Sequence, residues 1–314
     1  MQGAALDIDS EVDWDRTVFG LICPDAIARH LAVPILRRLA DSGFAPLSWK
    51  CFWHRPTGID AYFERNITQV WRAYVYRLAD RVFDSGPTVA VLWYDLRPET
   101  GPTSHARLRE MKGSSEPPKA RPGTIRGDFG AINVSLGLMH SADSPEDSRR
   151  EAEVFVGRGE FPAGQDPAEL RLLLSMLEMV RPAERRGFDD VLAGVRARIV
   201  GVMWEHLPVE ARELADKLRA CGHNGLATPG AGAQLADHLP AGHPLEPVLR
   251  CEFTEGNPGI DIDRVGALLR AFGTDLDTWE DLVLATSMRF APRRALRPAA
   301  NPGPVGTARG VAAR

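Results

Sequence analysis

The apolar pattern of the chain changes period once, near Gly157–Asp166 (GRGEFPAGQD), and that change limits the folds open to it. Before it, β-rich apolar runs alternate with segments of helical spacing. Thr17–Ile22 (TVFGLI) is a buried strand ended by Cys23-Pro24-Asp25. Ile35, Leu36 and Leu39 follow Pro34 at helical spacing, Leu47–Trp53 reads as a second strand, and Val70, Tyr74, Leu78 and Val82 mark a helix within 60–84. Val89–Trp93 is a third strand, residues 103–112 suit a short helix, and Ile132–Met139 reads as extended and buried. Ser144-Pro145-Glu146-Asp147 then opens a helix, with an N-cap serine, a first-turn proline and acids facing the positive end of the dipole. Strands alternating with helices predict an α+β or α/β sandwich of about 145 residues.

After the change the pattern is helical only. Leu170, Leu173, Leu174 and Leu177 share a face, as do Phe188, Val191, Leu192, Val195 and Ile199. Further helices are expected over 208–220, through Ile262–Phe272 and over Trp279–Met288. Residues 222–260, rich in Gly, Pro and His, read as loop. The expected organisation is a flexible acidic leader (1–15), an α+β domain (16–157), a linker (158–166), a helical domain of unassigned role (167–291) and a disordered tail (292–314).

The 38 basic and 42 acidic residues give a net charge of −4. That argues against a dedicated nucleic-acid binder, which needs a basic surface. It leaves small phosphorylated ligands open, since these need only a few well-placed cations. Cys23, Cys51, Cys221 and Cys251 form no CxxC pair, and the start of the chain lacks a signal-peptide pattern, so a cytoplasmic protein with reduced thiols is expected. No run of about 18 apolar residues suits a membrane span. His206, His223, His238 and His243 have irregular spacings and read as solvated loop residues, so no protein-held metal is expected.

Reactive residue types concentrate in Arg121–Gly130 (RPGTIRGDFG) and Met139–Ser148 (MHSADSPEDS). Arg126 lies in a glycine-flanked turn. His140 precedes a helix N-terminus, which favours an anion beside the ring. Glu151, eleven residues later, is placed to hold one imidazole nitrogen and leave the other to attack. Arg109 and Arg126 are candidates to clamp phosphate oxygens, with Arg107 competing for the first position and Ser114 adjoining Ser115. Asp143 suits a helix-capping role or a water-mediated contact with a metal ion.

These segments resemble the nucleoside diphosphate kinase family. PGTIRGDFG (122–130) is similar to its signature, TVFGLICPDA (17–26) to its first strand and turn, SGPTVAVLW (85–93) to the entry of its third strand, and HSADSPEDSRREAEVF (140–155) to its histidine segment. The resemblance covers about residues 16–157. It implies a ferredoxin-like βαββαβ domain with helices on one face of the sheet, followed here by the mainly α-helical C-terminal domain, and assembly into homo-oligomers. It implies ping-pong transfer of a γ-phosphate from a nucleoside triphosphate to a diphosphate, with Mg²⁺ on the phosphates. Carried over by position, His140 is the phosphorylated nucleophile, Glu151 orients it, and Arg109, Ser115 and Arg126 bind phosphate. The chain departs from the family at the sugar and base contacts. Cys23 replaces a lysine, Gly137 an asparagine and Ala142 a serine, and Ile67 and Val75 fall where base-sandwiching aromatics are expected. Three readings follow: a slow nucleoside diphosphate kinase, a kinase for another acceptor with Trp71, Tyr74 or Tyr76 as a new stacking surface, or a silent nucleotide-binding or regulatory module.

Overall fold

The computed structural model describes residues 4–53, 73–97, 102–157, 159–254 and 261–294, with the side chains of 73–77 left out. The expected tail beyond 294, the start of the 60–84 helix, and the side chains of Ile67, Trp71, Tyr74, Val75 and Tyr76 lie outside the described residues.

The sheet contains β1 (Thr17–Ile22), β2 (Phe44–Phe52), β3 (Thr88–Asp95) and β4 (Met139–Ser141) in the order β2-β3-β1-β4. All three pairings are antiparallel, with Phe19 opposite Leu92, Lys50 opposite Ala90 and Leu21 opposite His140. Helices α1 (Pro24–Ala28), α2 (Ala32–Asp41), α3 (Ala73–Asp84), α4 (Ser104–Lys112), α5 (Ile125–Asp128) and α6 (Pro145–Phe155) connect the strands and follow them. This is the expected α+β domain, with a helical region after it. Every residue of β1 is buried, because both faces of the sheet are covered. Val18, Ile22, Val89 and Val91 pack in one core with Ile35 and Leu39 of α2 and Leu170 and Leu174 of α7 (Pro167–Met179). Phe19, Leu21, Ala90 and Leu92 pack on the other face with Ala152 and Phe155 of α6. The implied arrangement with helices on one face is thereby corrected.

The leader, expected to be flexible, is packed, and so is the linker. In the leader, Ile8 and Val12 are buried under the second face of the sheet, and Trp14 Nε1 donates to the Ile8 carbonyl at 2.9 Å. In the linker, Phe161 is fully buried, Ser48 Oγ donates to the Pro162 carbonyl at 2.7 Å, and Gln165 Oε1 accepts from the Trp49 amide at 2.8 Å. Ser48 and Trp49 belong to β2, an edge strand whose spare backbone groups need a cover. The linker supplies it.

The helical half comprises α7, α8 (Phe188–Met203), α9 (Val209–Ala220), α10 (Ala231–Ala236), α11 (Glu246–Arg250), α12 (Ile262–Ala271) and α13 (Thr278–Ser287). Helices α10 and α11 lie in the segment read as loop. They gather around the buried Arg196, which donates to the carbonyls of Leu226 (2.9 Å) and Cys251 (3.0 Å) and pairs with Glu252. Such an anchor is distant in sequence and leaves no local periodicity. The core of this half continues into Leu78 and Val82 of α3 and into Ile132 and Leu136. The two halves therefore share one interior beside β4.

Residues 132–138, expected as strand, form a turned loop instead. Asn133 Oδ1 accepts from the amides of Ser135 and Leu136, each at 3.0 Å, and the Ile132 amide donates to the Leu136 carbonyl. The aspartate-like turn offered by Asn133 wins over a ladder because Ile132 and Leu136 have the helical half to bury against.

Candidate active site

His140 sits at the centre of β4, between the buried Met139 and Ser141. Its imidazole is 30 % exposed, and its Nε2 lies 2.8 Å from Oε2 of Glu151, whose side chain is 6 % exposed. Helix α6 brings Glu151 there. Its N-terminus is fixed by Ser144 Oγ, which accepts from the Asp147 amide at 3.1 Å, with Pro145 in the first turn. A carboxylate on Nε2 selects the tautomer with the proton on that nitrogen. The lone pair then belongs to Nδ1, as nucleophilic attack requires.

Two adjoining cavities share Ser115 and Arg126 in their walls. One, of about 530 Å³, is lined by Arg109, Lys112, Lys119 and Arg121, with Asp143 also in its wall. The other, of about 220 Å³, contains His140 and has mostly apolar walls, including Phe83, Val134 and Phe290. Arg109 and Ser115 thus lie with four further cations, Lys112, Lys119, Arg121 and Arg126. Arg107, the competitor for Arg109, is bound to the buried Asp95 and donates to the carbonyls of Arg97 and Ser42.

Arg126 is 6 % exposed and serves the loop as well as the cavities. Thr124 caps α5 by accepting from the Gly127 amide, which sets Arg126 on the inner side of the turn. Its Nε donates to the carbonyl of Gly137 (3.1 Å), Nη1 to that of Gly113 (3.3 Å) and Nη2 to that of Met139 (3.0 Å). Three of its five N–H groups are so engaged, and two remain for a ligand. Burial pulls its pKa below the usual arginine value. A side chain at Gly137 would begin 3.2 Å from the Val134 carbonyl and 3.3 Å from Arg126 Nη2. The glycine departure at 137 therefore matches the inward seat of the guanidinium.

Lys112 and Phe290 were not among the sequence candidates. Lys112 is 6 % exposed, and its Nζ donates to Ser141 Oγ (2.8 Å) and to the Ser141 carbonyl (3.1 Å). It thereby anchors β4 one residue beyond His140. Burial above all, with help from Arg126, pulls its pKa down to about 8. Its place three residues after Arg109 on α4 was the available signal. Phe290 lies beyond α13 and had none. Cys23 lines the smaller cavity, where burial and then Asp25 push its thiol pKa up, so it is no thiolate nucleophile at neutral pH. The Ala142 amide donates to the Phe19 carbonyl and extends the ladder at the end of β4.

Residues 15–161 match the model of the family described as nucleoside diphosphate kinase. Among curated relatives, the nucleoside diphosphate kinase of Halalkalibacterium halodurans is 31% identical over 45% of this chain and 88% of its own length. The chain belongs to the nucleoside diphosphate kinase family. The enzymes of that name from Moorella thermoacetica and Deinococcus radiodurans are 32% and 34% identical, each over 47% of this chain and 97% and 98% of theirs. The family match ends where the covering strap at Phe161 packs on the sheet. Among the described residues, no helix is long and apolar enough to cross a membrane.

Proposed function

We propose that the protein is a nucleoside diphosphate kinase-like phosphotransferase that carries the γ-phosphate of a nucleoside triphosphate on His140. The observation that carries this reading is the contact of Glu151 with His140, which lines a cavity whose neighbour is lined by cations. In the first half-reaction, Nδ1 attacks the γ-phosphorus and forms the N–P bond. The bond from that phosphorus to the bridging oxygen breaks, and the diphosphate leaves with the electron pair. Glu151 holds the Nε2 proton and stabilises the positive charge that grows on the ring. Arg109, Ser115 and Arg126 hold the phosphate oxygens as charge shifts between them. The second half-reaction reverses these steps, with a diphosphate oxygen attacking phosphorus.

Among the described residues no cluster of three ligating side chains could hold a metal alone. Mg²⁺ would be carried on the nucleotide phosphates, with Asp143 in the cavity wall placed to meet it through water. When bound, it neutralises phosphate charge. A second reading has a different acceptor in place of a common nucleoside diphosphate. The mostly apolar walls around His140, with Cys23 and Gly137 at positions of lost polar contacts, favour it.

The test is incubation with radiolabelled ATP and Mg²⁺, followed by challenge with GDP, CDP or UDP. We expect an acid-labile, base-stable label on the wild type and none on His140→Ala. Discharge to all three diphosphates supports the family activity, whereas a label that none of them removes supports the second reading. Equal labelling of wild type and variant, or no labelling by any triphosphate, refutes transfer through His140.

A further inference from the structure

Anchoring β4 calls for the hydrogen-bond donors of Lys112 but not for its charge. Strand β4 is an edge of the sheet, and the backbone groups of an edge need partners. On either side of His140, Arg126 Nη2 donates to the Met139 carbonyl (3.0 Å) and Lys112 Nζ to the Ser141 carbonyl (3.1 Å). Two cations thus bracket the histidine, each 6 % exposed and each lining the larger cavity.

The hydrogen bonds of both cations go to neutral oxygens: Ser141 Oγ and carbonyl for Lys112, and three carbonyls for Arg126. Among the described residues neither makes an ion pair. Burying two like charges together without a carboxylate partner is costly. Burial, and then Arg126, pull the Lys112 pKa down to about 8, with a smaller push from Arg109 on the same helix. Asp143 ahead of α6 and Glu151 on it act in the opposite sense and are outweighed. An anion in the cavity removes that cost. An ammonium has three N–H donors, two of which Ser141 engages, so one remains for such an anion. Position 23, where a lysine was expected, holds a cysteine whose thiol feels the charges of Arg126 and Lys112. Positive charge missing from the end of β1 is therefore present on α4.

We infer that Lys112 is a further phosphate-binding residue of the site: its charge and its third N–H serve an anion held between it and Arg126, while its other two donors fix the strand of His140. The inference rests on the phosphate-site reading given above and adds to it a residue that links the seat of the anion to the seat of the imidazole. Lys112 binds on this account and takes no proton from the reacting groups.

Calorimetric titration of the full chain with ADP and Mg²⁺ tests it, because a diphosphate occupies the site without phosphorylating His140. Lys112→Met keeps the bulk and removes the charge. ADP binding by this variant is expected to be about tenfold weaker or more, the effect of one lost charge-assisted hydrogen bond. In the wild type, ADP affinity is expected to fall about tenfold between about pH 7.5 and about 9.5, as Lys112 loses its proton, and to stay flat in Lys112→Met. Ser141→Ala removes an acceptor and leaves the charge, so it is expected to keep ADP binding within about threefold and to keep the pH dependence. Wild-type affinity that is flat over this range overturns the inference, and that measurement needs no variant. ADP binding unchanged in Lys112→Met, equal weakening in Lys112→Met and Ser141→Ala, or no ADP binding by the wild type overturns it as well. The expected pH profile without any phosphohistidine would sink the transfer reading alone.

Discussion

Glu151 reaches His140 through one carboxylate oxygen, so a change of charge at that group isolates what the pair contributes. Glu151→Gln keeps an acceptor and removes the charge. A charge-assisted bond is worth about 1.5–3 kcal/mol, so phosphorylation of His140 by ATP is expected to slow roughly 10–100-fold in rapid-quench assays. A rate within twofold of wild type would remove Glu151 from the account. Asp25 tests the support beneath the loop. It is fully buried, its Oδ2 accepts from the Leu138 amide at 3.0 Å, and among the described residues Oδ1 finds no hydrogen-bond partner. Burial pushes its pKa up from 3.8 to about 6, against the pull of Arg29. A carboxyl with a folded value above its unfolded one binds more protons when folded. Stability should therefore fall as pH rises from 3.8 to about 6, and this contribution should be flat above that. Asp25→Asn should flatten that slope and raise stability at pH 7 by about 1–3 kcal/mol in urea unfolding. A loss of stability at pH 7 would contradict the assignment. At this scale the juxtaposition of residues 140 and 151 was legible because strand, cap and helix are contiguous in sequence. Lys112 was not, because a lysine reads as exposed unless its distant acceptor, Ser141, is known.

Strand β1 needs a glycine beside the histidine strand. A Cβ on Gly20 would lie 2.9 Å from the His140 carbonyl and 2.9 Å from Trp93 Nε1. Gly20→Ala must therefore push β4 or Trp93 aside. The expected cost is about 1–3 kcal/mol in chemical unfolding, the scale of overpacking in a tight interior, together with slower labelling of His140. Full stability and normal labelling would show that β4 moves freely. The β1 and β3 strands and the helix from Ser144 were readable because their signals are local: a β-rich apolar run, a cap, a first-turn proline. Residues 132–138 were not, because Ile132 and Leu136 pack into the core of the helical half and Asn133 turns the backbone. The leader was misread as flexible for a related reason. Acidic and glycine-rich stretches look loose, yet single residues such as Ile8 and Phe161 pin them.

At the scale of the molecule, the α+β domain was legible because several separate segments agreed on it, whereas the position of the helical half depends on contacts more than 150 residues apart. Asn133 bonding to Thr286 and Ser287 is one such contact. Asn133→Ala removes it and leaves buried hydroxyls short of a partner, at a cost of about 1–3 kcal/mol in thermal or chemical unfolding. Unchanged stability would mean that this contact adds nothing to the join between the halves, which then rests on the shared apolar core and the Arg293 hydrogen bonds. The central claim is the transfer of phosphate onto one particular nitrogen, and ³¹P NMR of the denatured, base-stabilised protein after reaction with ATP and Mg²⁺ tests it most directly. The account predicts a single phosphohistidine resonance, with phosphorus on Nδ1 of His140. Phosphorus on Nε2, on another residue, or on none would contradict it.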